Sequence, residues 1–151
     1  MKLKHYFISN SSTSSFILIF DKKPETVDEI QHLLFDKKRV YKKECPDQSC
    51  IACKVFNDIK NQQATFERIV HEFQYICDDI DFNDFKINNE TDWETYSLAV
   101  RNQATIDAND FYKNDKFYAV VEYNDNNGQI EAFIESENIF DQIPHIKINK
   151  R

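Results

Sequence analysis

The residues best suited to chemistry in this chain are four cysteines. Cys45, Cys50 and Cys53 stand in a C-x4-C-x2-C order, and Cys77 follows. That order of spacings matches plant-type two-iron clusters. Such a loop needs small residues beside its thiols so that backbone amides can reach sulfur. Gln48 and Ile51 occupy those places, and no glycine is near. Zinc is the better alternative cofactor. Cys45, Cys50, Cys53 and Cys77, or three of them with His71, would supply thiolate and imidazole for a tetrahedral site. Against it, the C-x-x-C of Cys50 and Cys53 has no matching second half. The simplest reading is four reduced thiols with no cofactor, Cys77 being packed in a core.

The other histidines, His5, His32 and His145, form no H-E-x-x-H pair, and no two acids stand out as an acid–base dyad. No catalytic residue is assigned. Gly128 is the only glycine in 151 residues. A P-loop, a dinucleotide fingerprint and a G-x-S-x-G elbow each need at least two, so those enzyme classes are excluded. The net charge of −7 disfavours nucleic acid as a partner, because an acidic surface repels phosphate. One local exception is the basic run Lys37–Lys43, which reads as a solvated edge strand guarded by lysines. The segment from Asp78 to Glu94 holds seven acids against one base, Lys86. Within it, Asp79, Asp81 and Asp84 are candidates for contact with a basic protein partner.

A run of small polar residues, Ser9 to Ser15, separates Lys4–Ile8 from Phe16–Phe20. The two flanks read as strands, and the run as the loop of a hairpin. Phe16–Phe20 is apolar throughout, as in a central strand covered on both faces. In the loop, Ser11, Ser12, Thr13 and Ser14 could hold an anionic ligand through hydroxyls and closely spaced amides, or simply satisfy their own backbone. The string FISNSSTSSFILI, Phe7 to Ile19, resembles the N-terminal signature GFVSNSSSSSFIV of many small bacterial and bacteriophage proteins with no assigned activity. Tyr6 replaces the signature's glycine, and Thr13 interrupts its serines.

The remaining elements follow from periodicity. Thr26 and Glu29 have capping-box spacing and open a helix over Val27–Phe35. Ile51, Val55, Phe56 and Ile59 mark a short helix, and Ala64–Ile80 a longer one. Thr91 and Glu94 repeat the capping spacing before Trp93, Tyr96, Val100 and Ala104. Phe117–Tyr123 alternates as a strand. Asn127-Gly128 signals a turn, and Ile130, Ala132 and Ile134 continue the alternation as the second arm of a hairpin. His145–Ile148 reads as a last strand.

The sum is an α+β fold in a single domain, 1–151. Its N-terminal and C-terminal β-hairpins form one antiparallel or mixed sheet packed on three to four helices. No segment reads as a targeting peptide or a membrane span, which implies a cytoplasmic protein with no membrane partner. The functional expectation is a small phage-encoded binding protein rather than an enzyme, acting by protein–protein contact in the host cytoplasm as an inhibitor or adaptor of a host factor. The alternatives are an anionic-ligand binder or enzyme using the serine loop, and a zinc-stabilised accessory factor.

Overall fold

Thr13–Phe20 forms strand β1, the middle of a three-stranded antiparallel sheet in a computed structural model that describes residues 13–76 and 90–150. Its neighbours are β2, Phe117–Asn124, and β3, His145–Lys150, in the order β2-β1-β3. Phe16 stands opposite Val121 on one side and Lys147 on the other; Leu18 stands opposite Ala119 and His145. Phe16, Leu18 and Phe20 point to one face and Ile17 to the other, and all four are buried. The apolar run is therefore a central strand buried on both faces, as its composition implies.

Among the described residues four helices precede β2 and a fifth follows it: α1, Val27–Phe35; α2, Gln48–Ile59; α3, Phe66–Phe73; α4, Glu90–Phe111; and α5, Gln129–Ser136. With the antiparallel sheet they make an α+β fold, carrying both an early and a C-terminal strand. Of the described residues, those up to Ala64 together with those from Asp115 onward form one compact unit, and those between Thr65 and Asn114 form another. Among the described residues no helix is long and apolar enough to cross a membrane.

In the first unit the core face of the sheet meets Ile30 and Leu34 of α1, Ile51, Val55 and Ile59 of α2, and Phe133 and Ile134 of α5. Helix α1 starts where the capping spacing places it. Thr26 Oγ1 accepts from the Glu29 N–H at 3.2 Å. The Glu29 carboxylate accepts from Glu25 N–H at 3.1 Å, one residue upstream of the usual box partner. Helix α2 begins at Asp47, whose carboxylate accepts from the N–H and hydroxyl of Ser49. Those two bonds, the hydroxyl's foremost, hold Asp47 below the ordinary carboxylate range. After α2 the chain closes the outer edge of β2. Ala64 N–H donates to Tyr118 O at 2.9 Å, and Val120 N–H donates to Gln62 Oε1 at 3.1 Å. The opposite edge, β3, is short and carries Lys147 and Lys150, which discourages further pairing.

Two expected strands are absent from their predicted places. Ile130–Ile134, expected as the second arm of a C-terminal hairpin, is helical. Ile130, Phe133 and Ile134 recur at helical spacing and pack on the core, so the i, i+3, i+4 pattern outweighs the alternation of Ile130, Ala132 and Ile134. Gly128, at φ +107°, is the residue from which the chain turns into α5. The Glu131 carboxylate lies in the first turn, where the helix dipole favours it, and accepts from Asn124 N–H. Lys37–Lys43, expected as an edge strand, is an irregular link between α1 and α2. Both flanks of β1 are already taken by β2 and β3. The expected strand Lys4–Ile8 lies outside the described residues.

The described elements of the second unit are helices. The stripe expected to run from Ala64 to Ile80 is α3 followed by a 3-10 turn, Gln74–Ile76, with Ile80 outside the described residues. Thr65 Oγ1 caps α3 through Arg68 N–H, and Ile69, Val70 and Phe73 are its buried side. Helix α4 already includes Thr91, so the expected cap there is a helical residue. Ala104 and Ala108, one turn apart, are its buried residues. Phe73 meets Phe111, and Phe66 meets Tyr112, both edge to face.

Candidate functional site

The end of the serine run is sheet, not loop: Thr13, Ser14 and Ser15 are the first three residues of β1. Each hydroxyl meets a polar group from outside β1: those of Thr13 and Ser15 from β2, and that of Ser14 from α5 and β3. Thr13 Oγ1 accepts from the Asn124 amide. Ser15 Oγ donates to Glu122 Oε2 at 3.2 Å, and Lys150 Nζ pairs with that same oxygen at 3.2 Å. Ser14, fully buried, lies 3.0 Å from Glu135 Oε1 and 3.0 Å from the Asn149 side-chain amide. A hydroxyl has one proton. Both neighbours are acceptors, Glu135 Oε1 and Asn149 Oδ1, so it serves one of them at a time. Glu135 is itself buried, and Lys147 Nζ donates to its backbone carbonyl at 2.8 Å. Ser11 and Ser12 lie outside the described residues.

Beside this ladder stands Tyr123, the cross-strand partner of Ser14. Its phenol is buried, and no described group reaches its Oη at hydrogen-bonding geometry. Burial first, and then the nearby Asp58 carboxylate, push it well above the ordinary phenol range. Asp58 acts here as a neighbouring charge rather than as a well-formed acceptor, being paired with Lys54 Nζ at 3.1 Å. A phenol raised in the fold contributes stability below its unfolded value of about 10 and loses it as pH climbs beyond. Tyr123→Phe is therefore expected to change neutral-pH stability by no more than about 1 kcal/mol and to flatten the loss above that pH. Urea titrations from pH 7 to 11 check both. A clear loss of stability at pH 7 would show that the hydroxyl has a partner.

The thiols divide. Cys50 and Cys53 are exposed on one turn of α2, and Asn57 Nδ2 donates to Cys53 Sγ at 3.5 Å. Cys45 is half-buried before the helix, with its Sγ donating to Pro46 O at 3.2 Å. Burial, followed by the Asp47 and Glu137 charges, pushes the Cys45 thiol up. Cys77 lies outside the described residues, as do Asp79, Asp81 and Asp84. Among the described residues no group of three or more His, Cys, Asp or Glu side chains gathers as a metal site would. His145 Nδ1 lies 2.7 Å from Ile143 O, which fixes that nitrogen as the protonated one.

A cleft of about 560 Å³ opens along the basic link, lined by Phe35, Lys37, Lys38, Arg39, Val40, Tyr41 and Gln48. Its floor is anchored. Arg39 pairs with Asp141 at 2.8 Å, donates to Asn138 O, and lies 5.2 Å over the Tyr41 ring. Tyr41 in turn meets Phe133 edge to face at 5.0 Å. Lys43 N–H donates to Glu137 Oε1 at 2.9 Å. Between these ties Val40 is 98% exposed, with Lys37 and Lys38 exposed beside it. Reading the run as a guarded edge missed Val40. The usable signal was local: in extended chain Arg39 and Tyr41 share one side, and Val40 takes the other. Compared with known proteins, the chain matches no family model, no curated protein and no solved structure.

Proposed function

We propose that this chain is a small binding protein that works by protein–protein contact through the cleft of the basic link. One observation carries the reading. Val40 is held in solvent on a segment tied down at both ends, by Arg39 to Asp141 and by Lys43 to Glu137. An apolar side chain presented on a braced loop, next to an aromatic ring and free-ended lysines, has the make-up of an interface anchor. The lysines suit an acidic segment of the partner, and Val40 suits an apolar residue within it.

Nucleic acid fits less well. The guanidinium of Arg39 is already engaged by Asp141 and by the Tyr41 ring, and a phosphate backbone has no use for Val40. The likeness of Phe7–Ile19 to small phage proteins makes a host factor the natural kind of partner, with the chain as its inhibitor or adaptor.

A fluorescent peptide alternating Glu and Leu serves as the probe. Anisotropy should show binding that weakens with salt and falls at least about tenfold in Val40→Asp and in Lys37→Glu/Lys38→Glu. An all-Glu peptide should bind less well than the alternating one. Equal binding by all variants would refute the reading, and so would tighter binding of a single-stranded oligonucleotide.

A further inference from the structure

We propose that Cys50 and Cys53 form a two-thiol site for a soft, thiophilic cation of the Cu(I) type. The argument starts from helix geometry. Both residues belong to one turn of α2, three positions apart, and both are exposed. On a regular helix that spacing separates the Cα atoms by about 5 Å and the Cβ atoms by about 5–6 Å. An unstrained disulfide needs Cβ atoms about 3.5–4.5 Å apart, so the turn holds its thiols too far apart for easy oxidation to one another. A bridging ion relaxes that limit. Metal–thiolate bonds of about 2.3 Å let two sulfurs sit up to about 4.6 Å apart with an ion between them, and side-chain rotation alone achieves this.

The number of ligands then selects the ion. Zinc asks for four protein or solvent ligands in a tetrahedron. Cu(I) is soft, prefers thiolate, and is satisfied by two. Cys45 is not a natural third ligand, since its half-buried thiol is engaged as a donor to Pro46 O. One turn beyond Cys53, the Asn57 amide donates to its Sγ. A donor of that kind steadies a metal-bound sulfur, which makes Asn57 a positioning residue. Binding is a plain exchange: the cation enters as two thiol protons leave to solvent, with no change of oxidation state.

The test uses the full chain, reduced and handled without oxygen, competing for Cu(I) with a chromogenic chelator. The parent should withdraw one equivalent. Cys50→Ser and Cys53→Ser should each fail to do so over the same range, whereas Cys45→Ser and Cys77→Ser should match the parent. Asn57→Leu should bind about tenfold more weakly with an unchanged melting curve, a split that a purely structural role for Asn57 would not give. The positions tested on α2 are on its exposed side, so circular dichroism should report an intact fold throughout. A parent no better than Cys50→Ser/Cys53→Ser would overturn the site. Equal loss in Cys45→Ser or Cys77→Ser would also overturn it, by making the ligand set a larger cluster.

Discussion

Phe16→Ala should lower the unfolding free energy by about 3–5 kcal/mol. Phe16 is buried in the central strand, where its ring lies 4.9 Å from Phe140, 6.1 Å from Tyr123 and 6.4 Å from His145, with Lys147 Nζ 5.6 Å above it. These neighbours come from β2, from β3 and from the segment before β3. Tyr123, His145 and Lys147 are held by strand register and Phe140 by its own burial in the core, so the cavity persists and the cost sits high in the usual range. Phe16→Leu keeps most of the volume and should cost about half as much or less. Chemical denaturation with an unchanged m-value checks both. An alanine variant within about 1 kcal/mol of the parent would mean that the sheet repacks freely around this position.

Ser14→Asp is expected to be about as damaging, for an electrostatic reason. The Ser14 hydroxyl is fully buried 3.0 Å from the Glu135 carboxylate. An aspartate there sets two carboxylates together with little water, and an uncompensated buried charge costs about 3–5 kcal/mol. Two such groups do not both ionise readily, so the pair holds a proton to higher pH in the fold than in the unfolded chain. A carboxyl whose folded value is raised contributes stability below its unfolded value of about 4 and loses it as pH rises through the folded one. The damage should therefore be greatest at neutral pH and should recede on acidification toward pH 5. Ser14→Asn is uncharged and keeps a donor for Glu135, so it should lose only about 1–2 kcal/mol and show no such recovery. Equal effects of the two substitutions, or a pH-independent loss in Ser14→Asp, would exclude charge repulsion as the cause.

Both results bear on why the serine run ends inside β1. Small hydroxyl side chains can be buried in a central strand when each finds a partner, and here Asn124, Glu135 with Asn149, and Glu122 supply them. The described end of the run is thus a set of fitted contacts that seals the sheet at the start of β1.

Much of the fold was written in local pattern. Helix α1 has the bounds that Thr26, Glu29 and the apolar spacing imply, because a cap and a 3.6-residue stripe both act within one or two turns. Phe16–Phe20 is central because an all-apolar strand cannot leave either face in water. The single glycine excludes phosphate cradles of the P-loop kind, since that chemistry depends on close backbone approach. Tertiary structure decided the rest. Whether Ile130–Ile134 is strand or helix turned on Phe133 finding a place beside Tyr41 and the sheet, a contact across 92 positions of chain that no short window contains. Thr13–Ser15 became strand because Asn124, Glu135 and Asn149 lie across the fold, more than a hundred residues away in sequence. The basic link became a cleft with Val40 outermost because Asp141 and Glu137 anchor Arg39 and Lys43, and only folding brings those charges together. Sequence alone assigned residue types able to bind; long-range contacts chose which of them are spent on structure and which are left facing solvent.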